Sequence, residues 1–444
     1  MRWWLYTVLF TLAYLVMTPY FLFRMKRRGG YRVRFGDRFA RYPQAILDRL
    51  AKLDRPVWIH AVSVGEVYVA GQVMQALRSY KPDTKFVLST TSSTGWKEAE
   101  KLVKPEDVLI YYPLDFPSCI KRALHAIRPA MFILTEAEIW PNMMRACHAA
   151  AIPTYLVNAR ISDETLPGYC LLRFWIKPVL NMFTKIYAQS SADQERLLTM
   201  GAKPDIIEVT GSFKFDVANR NPEKEANVKA FLSRFGITDQ QTVLLGGSTW
   251  PGEDAILIDI FKRIRSRYPH LRLVIVPRHF EKADAVQAEI EKAGLRCLRK
   301  SKLPPDATAP SDSASVILAD TTGELMGFYG NADIVFVGKS LCEHGAQNMI
   351  EPCLCGAVTF VGPNTENFRP VMADLLEAEA LVQVKDAAQL ESEIIRFLDD
   401  PAARQAIGTR ATAAVIRRTG VVAAVVRKLK LKPYTHPSIY DCKA

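Results

Sequence analysis

The sequence predicts an α/β protein built from two parallel-sheet halves and headed by an apolar helix that meets a membrane. Three observations carry this. After residue 55, short apolar runs alternate with amphipathic stretches of helical period, the pattern of parallel strands joined by crossover helices. One polar segment, DVANRNPEKEANVK (216–229), interrupts that rhythm, which then resumes. Ahead of both halves, Trp3 to Phe23 runs for 21 residues without a charge, long enough to cross a hydrocarbon core at about 1.5 Å per helical residue.

In the first half the strand-like runs are VWIHAV (57–62), KFVLST (85–90), VLIYYP (108–113), MFILTE (131–136), TYLVNA (154–159), KIYAQS (185–190) and IIEVTG (206–211). The second half continues with TVLLGGS (242–248), LRLVIVPRH (271–279), SVILAD (315–320), ADIVFVGKS (332–340) and AVTFVG (357–362). KSKLPPDATAPSDSAS (300–315), rich in Pro, Ser and Ala, reads as a solvent loop. The expected division is an anchor with a basic collar over 1–30, a Rossmann-like domain over 31–215, a linker over 216–230, and a second Rossmann-like domain over 231–444. A helical tail starts near 386, and the two domains face each other across a cleft.

The chain has 444 residues and a net charge of +12, but residues 1–55 hold twelve Lys or Arg against three Asp, leaving only +3 for the other 389. A basic excess gathered at one end argues for a membrane surface and against nucleic acid bound along the chain. Arg24, Lys26, Arg27 and Arg28 follow the apolar run, with Arg32, Arg34 and Arg38 close behind. Against Arg2 alone on the other flank, they put the C-terminal side in the cytoplasm. The run lacks the basic leader and the A-x-A-like site of a cleaved signal peptide. Pro19 and Tyr20 leave open a helix that dips into the bilayer without crossing it. Near the other end, Arg417, Arg418, Arg427, Lys428, Lys430 and Lys432 read as a solvated face. The eight cysteines form no CxxC pair and read as reduced thiols.

In open parallel sheets, ligands sit beyond the carboxyl ends of the strands, so the chemistry is sought there. In HAVSVGE (60–66) a strand ends near Val62, Ser63 caps the next helix, and Gly65 lets the backbone approach a ligand. Glu66 then falls in the first turn, where the helix dipole favours a carboxylate able to accept a proton. The same Glu also reads as an ordinary stabiliser of its helix. In TEAEIWPN (135–142), Glu136 and Glu138 share a face if the strand persists, and two such carboxylates call for a cation or a function. GSFKFD (211–216) puts Lys214 just past a strand, and VPRH (276–279) does the same for Arg278, whose guanidinium suits phosphate. TTGELMGFYG (321–330) has Gly323 opening a helix, with backbone N–H groups free for an anion and Glu324 next. NMIEP (348–352) puts Glu351 where a carboxylate grips ribose hydroxyls. Each alone also reads as a cap or a surface charge; gathered at strand ends in one half, they are what a nucleotide site requires. No histidine spacing suggests a metal, and GGST (246–249) is a Gly-rich strand exit, not a Walker loop.

With these motifs in one order, the sequence resembles the bacterial lipid A Kdo transferases (Kdo is 3-deoxy-D-manno-octulosonic acid), inverting glycosyltransferases of the GT-B fold. HAVSVGE, TEAEIWPN, NAR (158–160), TGSFKFD, VPRH, TGELMGFYG and FVGKSL carry the resemblance, from the anchor to about residue 400. It implies that residues 31–215 bind the acceptor and 231–444 the nucleotide sugar. It implies that Glu66 is the catalytic base and that Glu136 and Lys214 stabilise the transition state. The cytidine nucleotide would contact Pro277, Arg278, Thr322, Gly323, Glu324, Asn348, Met349, Ile350 and Glu351. The expected donor is CMP-Kdo and the acceptor the tetraacyl disaccharide lipid A precursor, with no cofactor, no metal ion and no nucleic acid. The expected place is the cytoplasmic side of a cell inner membrane carrying anionic lipid. The chain departs from the family pattern at Gln347, at Lys339 where glycine is common, at Trp250 in place of a frequent histidine, and at Asp37 in place of Glu. The alternatives are a GT-B transferase with another nucleotide sugar and lipid acceptor, a sugar-nucleotide epimerase, and an inactive membrane-tethered adaptor. An epimerase has no use for an anchor, and intact Glu66, Lys214, Arg278 and Glu351 count against an adaptor.

Overall fold

Strands covered on both faces must be apolar along their length, and the strands of the first unit are mostly buried throughout, save toward the edge that ends the sheet. They are β1 (Val57–His60), β2 (Phe86–Thr90), β3 (Val108–Tyr111), β4 (Met131–Thr135), β5 (Thr154–Ala159), β6 (Lys185–Ala188) and β7 (Ile207–Val209). They pair in parallel in the order β3-β2-β1-β4-β5-β6-β7. Alternate residues feed two cores. Trp58, Val87, Ile110, Phe132 and Leu134 pack with the helices Pro117–Ile127 and Pro141–Ala149 on one face. Val57, Ile59, Phe86, Leu88 and Ile133 pack on the other with the helix Val64–Tyr80.

This computed structural model describes residues 3–28, 34–137, 139–304, 307–308 and 315–429. Arg2, Arg32, Glu138, Lys430, Lys432 and half of the 300–315 segment lie outside the described residues, as do the side chains of Arg24, Lys26, Arg27 and Arg28.

The second unit holds β8 (Thr242–Thr249), β9 (Leu271–Pro277), β10 (Arg296–Arg299), β11 (Ser315–Leu318), β12 (Ile334–Val337), β13 (Val358–Val361) and β14 (Val382–Gln383). Their order is β10-β11-β9-β8-β12-β13-β14, again all parallel. Leu244, Leu273, Ile275, Leu318, Phe336 and Phe360 pack with the helices Glu253–Ile264, Ala283–Lys292 and Ala387–Asp399. The strands β10 and β14 escape a reading by apolar runs, being short and half-polar.

Two expected boundaries move. The chain passes between units at Val217/Ala218 and again at Thr419/Gly420. Most of the expected linker, 216–230, is instead the helix Pro222–Arg234 of the second unit. Asn221 caps it by accepting from the Lys224 N–H at 2.9 Å, Pro222 opens it, and Glu223 and Glu225 favour its positive end. The tail does not stay with the second domain either. The helix Val421–Lys428 joins the first unit, where Asp216 accepts from the N–H groups of Gly420 and Val422. Its Val422, Val425 and Val426 enter the core over the helix Val64–Tyr80. Of the basic residues near the C-terminus, Lys428 pairs with Glu208 and Arg418 with Asp374 at 3.0 Å.

The apolar N-terminal run is a helix, Trp3–Arg28, and one side of it is docked on the first unit. Tyr6 donates to Asp115 at 2.9 Å, Asn142 donates to Thr7 at 3.2 Å, and Phe10 and Tyr14 meet Phe116 edge-on at 5.2 and 5.5 Å. Trp4, Leu15, Val16 and Phe23 stay exposed. Two members of the basic collar also belong to the fold. Arg34 pairs with buried Asp37 at 2.8 Å and donates to the Leu109 carbonyl, while Arg38 lies 4.2 Å over the Tyr111 ring. Asp37 accepts from the Tyr111 N–H at 3.3 Å, so the departure noted at this position is inside the domain and not on a lipid-facing surface.

Asp115 also accepts from the N–H groups of Asn142 and Met143, at 2.9 and 2.8 Å, at the start of the helix Pro141–Ala149. Burial nevertheless pushes its carboxyl up to about 7, those bonds opposing. A folded-state value above the unfolded one means that the proton-linked stability is complete below about pH 4 and is lost as pH rises through about 7. Against an Asp115→Asn variant, the natural chain should therefore gain about 2 kcal/mol of relative stability between pH 8 and pH 5. Urea unfolding at the two pH values checks this, and a difference that does not change with pH refutes it.

Candidate active site

In the first unit the chain leaves β1 toward β2 and β4 toward β5, in opposite directions, so a crevice opens at the carboxyl ends of this neighbouring pair. Ser63 and Glu66 sit at that point and close a capping box. The Ser63 hydroxyl accepts from the Glu66 N–H at 3.3 Å, and Glu66 Oε1 accepts from the Ser63 N–H at 3.2 Å. Glu66 Oε2 accepts from the Val62 N–H at 3.0 Å and from the Thr135 hydroxyl at 2.8 Å. The side chain is buried. Glu66 stabilises its helix, and the same bonds fix its carboxylate at the switch point.

The expected strand through Glu136 stops one residue short. Glu136 turns out of β4 with φ of +56°, a conformation non-glycine residues adopt at an energetic cost, and its N–H donates to the Val157 carbonyl. Arg160 pairs with it at 3.9 Å. Burial pushes the Glu136 carboxyl up and the charge of Glu66 adds to that, while Lys214 and Arg160 oppose it. Burial likewise pulls the Lys214 ammonium down, with Glu136 opposing. Lys214 begins a short helix, Lys214–Val217, held by the Phe213 N–H donating to Asn158 Oδ1 at 3.0 Å. The NAR and GSFKFD motifs are therefore one structural piece. His60 stacks on Tyr112 with ring centres 3.8 Å apart, and burial lowers its imidazole to about 3, so it is neutral at physiological pH.

The second unit repeats the arrangement at β8 and β12. Here the GGST exit meets Gly338, where a Cβ would come within 2.2 Å of the Ser248 carbonyl oxygen, so only glycine fits. The Arg278 N–H donates to the Thr249 carbonyl at 3.0 Å, which brings Pro277 and Arg278 to the same end. A residue that the sequence reading missed, Glu253, ties the two strand exits together. Its buried carboxylate accepts from the N–H groups of Trp250, Lys339, Ser340 and Leu341 at 2.8 to 3.0 Å. The signal for it was an acid four residues after the end of a strand, at the start of a helix. Two of the departures from the family pattern touch: Lys339 Nζ lies 4.9 Å over the Trp250 ring.

The remaining candidates sit after β11 and β12. Thr322 and Gly323 are exposed in the turn, Gly323 with φ of +82°. The helix that follows, Leu325–Tyr329, has only five residues, so the expected anion site at a helix start shrinks to the N–H groups of a turn. Glu324 is held by Lys300 at 2.8 Å and also by the Thr321 hydroxyl; these bonds outweigh burial and keep its carboxyl low. Met349 and Ile350 turn their side chains into the core, leaving only their backbones for a ligand, and the Ile350 N–H already donates to Asn348. Asn348 Nδ2 donates to Glu351 at 3.1 Å, and burial raises the Glu351 carboxyl. Among the described residues, no three His, Cys, Asp or Glu side chains converge as metal ligands.

Residues 33–217 match the family described as 3-deoxy-D-manno-octulosonic-acid transferase (kdotransferase). The chain is 33% identical over 410 residues to the 3-deoxy-D-manno-octulosonic acid transferase of Bordetella pertussis, covering 89% of this chain and 92% of that one. It is 29% identical over 411 residues to the enzyme of the same name from Haemophilus influenzae, with 92% and 93% covered. A solved UDP-GlcNAc 2-epimerase from Neisseria meningitidis has a TM-score of 0.57 over 84% of this chain and 98% of its own, at 13% identity, a likeness of GT-B fold alone. With a relative this similar along nearly its whole length, the chain belongs to the 3-deoxy-D-manno-octulosonic acid transferase family and is a glycosyltransferase.

Proposed function

We propose that the chain transfers Kdo from CMP-Kdo to a hydroxyl of the disaccharide lipid A precursor, with inversion at the anomeric carbon. The observation that supports this most is the fixed, buried carboxylate of Glu66 at the β1–β4 switch point, beside the Glu136–Lys214–Arg160 cluster. Glu66 takes the proton of the acceptor hydroxyl as that oxygen attacks the anomeric carbon. The bond to the phosphate oxygen breaks, and CMP leaves with the electron pair. One displacement gives inversion. Positive charge building on the sugar is offset by the Glu136 carboxylate, and negative charge on the departing phosphate by Lys214 and Arg278. Pro277, Thr322, Gly323, Glu324, Asn348, Glu351 and the backbone of Met349 and Ile350 hold the nucleotide.

We further infer that the N-terminal helix lies along the cytoplasmic surface of the inner membrane. Its Tyr6, Thr7, Phe10 and Tyr14 side is occupied by the domain, whereas Trp4, Leu15, Val16 and Phe23 are free to enter anionic lipid. A helix docked from its first turns has the geometry of an interfacial element more than of a span.

Replacing Glu66 by Gln should lower transfer by about 10²–10⁴-fold while CMP still binds, measured by turnover and by calorimetric titration. Retention of most of the activity removes Glu66 from the role of base. Turnover should also persist in EDTA, because cationic side chains carry the charge of the phosphate. A complete loss reversed by Mg²⁺ would overturn that assignment. For the helix, Leu15→Glu combined with Val16→Glu should release the protein from membranes yet leave transfer to detergent-dispersed acceptor. Labelling of an N-terminal tag by an impermeant reagent on intact cells would instead establish a span.

A further inference from the structure

The hydrogen-bond capacity of Glu66 is nearly used up. A carboxylate offers about four lone-pair sites, and three are occupied: Oε2 by the Val62 N–H and the Thr135 hydroxyl, Oε1 by the Ser63 N–H. The remaining site is on Oε1. Thr135 is buried at the end of β4, and its single hydroxyl proton has two acceptors within reach, Glu66 Oε2 at 2.8 Å and the His60 carbonyl at 3.0 Å. A hydroxyl gives its proton to one of them at a time, and neither the carboxylate nor the carbonyl returns one.

We propose that Thr135 is the positioning residue of the base: it pins Oε2 so that Oε1 presents the open lone pair to the acceptor hydroxyl, and it changes partner as the proton arrives. This rests on the reading of Glu66 as the base. While Glu66 is ionised, the Thr135 O–H donates to Oε2. The acceptor oxygen forms its bond to the anomeric carbon as the bond to the phosphate oxygen breaks and CMP leaves with the electron pair, and the acceptor's proton passes to Oε1. The neutral acid then accepts more weakly at Oε2, and the Thr135 hydroxyl rotates to the His60 carbonyl. No buried donor is stranded in either state, so the active-site framework stays still while the charge on Glu66 changes. His60 contributes through its backbone, its ring being neutral and held by Ser89.

The test is a cycle of Thr135→Val and Glu66→Gln with steady-state kinetics on CMP-Kdo and detergent-dispersed acceptor. Thr135→Val should lower kcat about ten- to a hundredfold, the size of a lost hydrogen bond to a charge, with the KM for CMP-Kdo unchanged. Thr135→Ser, which keeps the hydroxyl, should recover activity to within about threefold of the natural chain. In the Glu66→Gln background, Thr135→Val should cost less than about twofold more, because residues that act through one group are not additive. Thermal midpoints monitor folding, and Thr135→Ala replaces the Val variant if that midpoint falls. An active Glu66→Gln enzyme overturns the base reading and this inference with it. An inactive Glu66→Gln enzyme overturns this inference alone when Thr135→Val stays within about threefold of the natural chain, or when its loss recurs in full in the Glu66→Gln background.

Discussion

A parallel strand covered on both faces cannot carry polar side chains without buried partners, and this constraint sorts the whole chain. Along β1, β2 and β4 the few polar residues find each other. Trp58 and His60 bond to Ser89, and Thr135 reaches the His60 carbonyl and Glu66. Everything else with chemistry is expelled to the strand ends, and the reversal of strand order at β1/β4 and β8/β12 leaves room there. The same rule operates in both units with different contents: acid and cation in the first, glycines and a buried acid in the second.

Glu66 and Glu253 are two buried carboxylates held at such points in different ways. Glu253 accepts those four backbone N–H groups and a longer bond from the Cys342 N–H, and has little capacity left for a ligand, so it is architecture. Glu66 accepts two backbone N–H groups and a hydroxyl and keeps one site open. Counting acceptors separates the roles of two buried acids that look alike by residue type and position.

Much of this was legible beforehand, because its causes are local. Short continuous apolar runs located twelve of the fourteen strands among the described residues, and Ser63 with Glu66 three residues on is a capping signal readable as text. Lys214 was singled out by its position just past a strand and Glu136 by its place at the end of one. What escaped depends on the chain folding back on itself. The polar composition of 216–230 hid a helix whose buried stripe, Val228, Phe231 and Leu232, is thin. β10 and β14 are strands only because neighbours extend the sheet to them. Asp37 and Arg34 looked like surface charge until β3 closed over them. Met349 and Ile350 were assigned to nucleotide contact by the resemblance, and the sequence did not say that their side chains would be buried in the core.

The return of Val421–Lys428 to the first unit has a bearing on how the protein is made. The first seven strands leave the ribosome early and can pair at once. Yet one face of the helix Val64–Tyr80 waits for Val422, Val425 and Val426, which are synthesised only after the entire second unit. During that interval an apolar surface stands open on a nascent chain whose N-terminal helix is also apolar. Completion of the first unit thus waits for synthesis of the second, and termination anywhere in the second unit leaves the first without this piece of core.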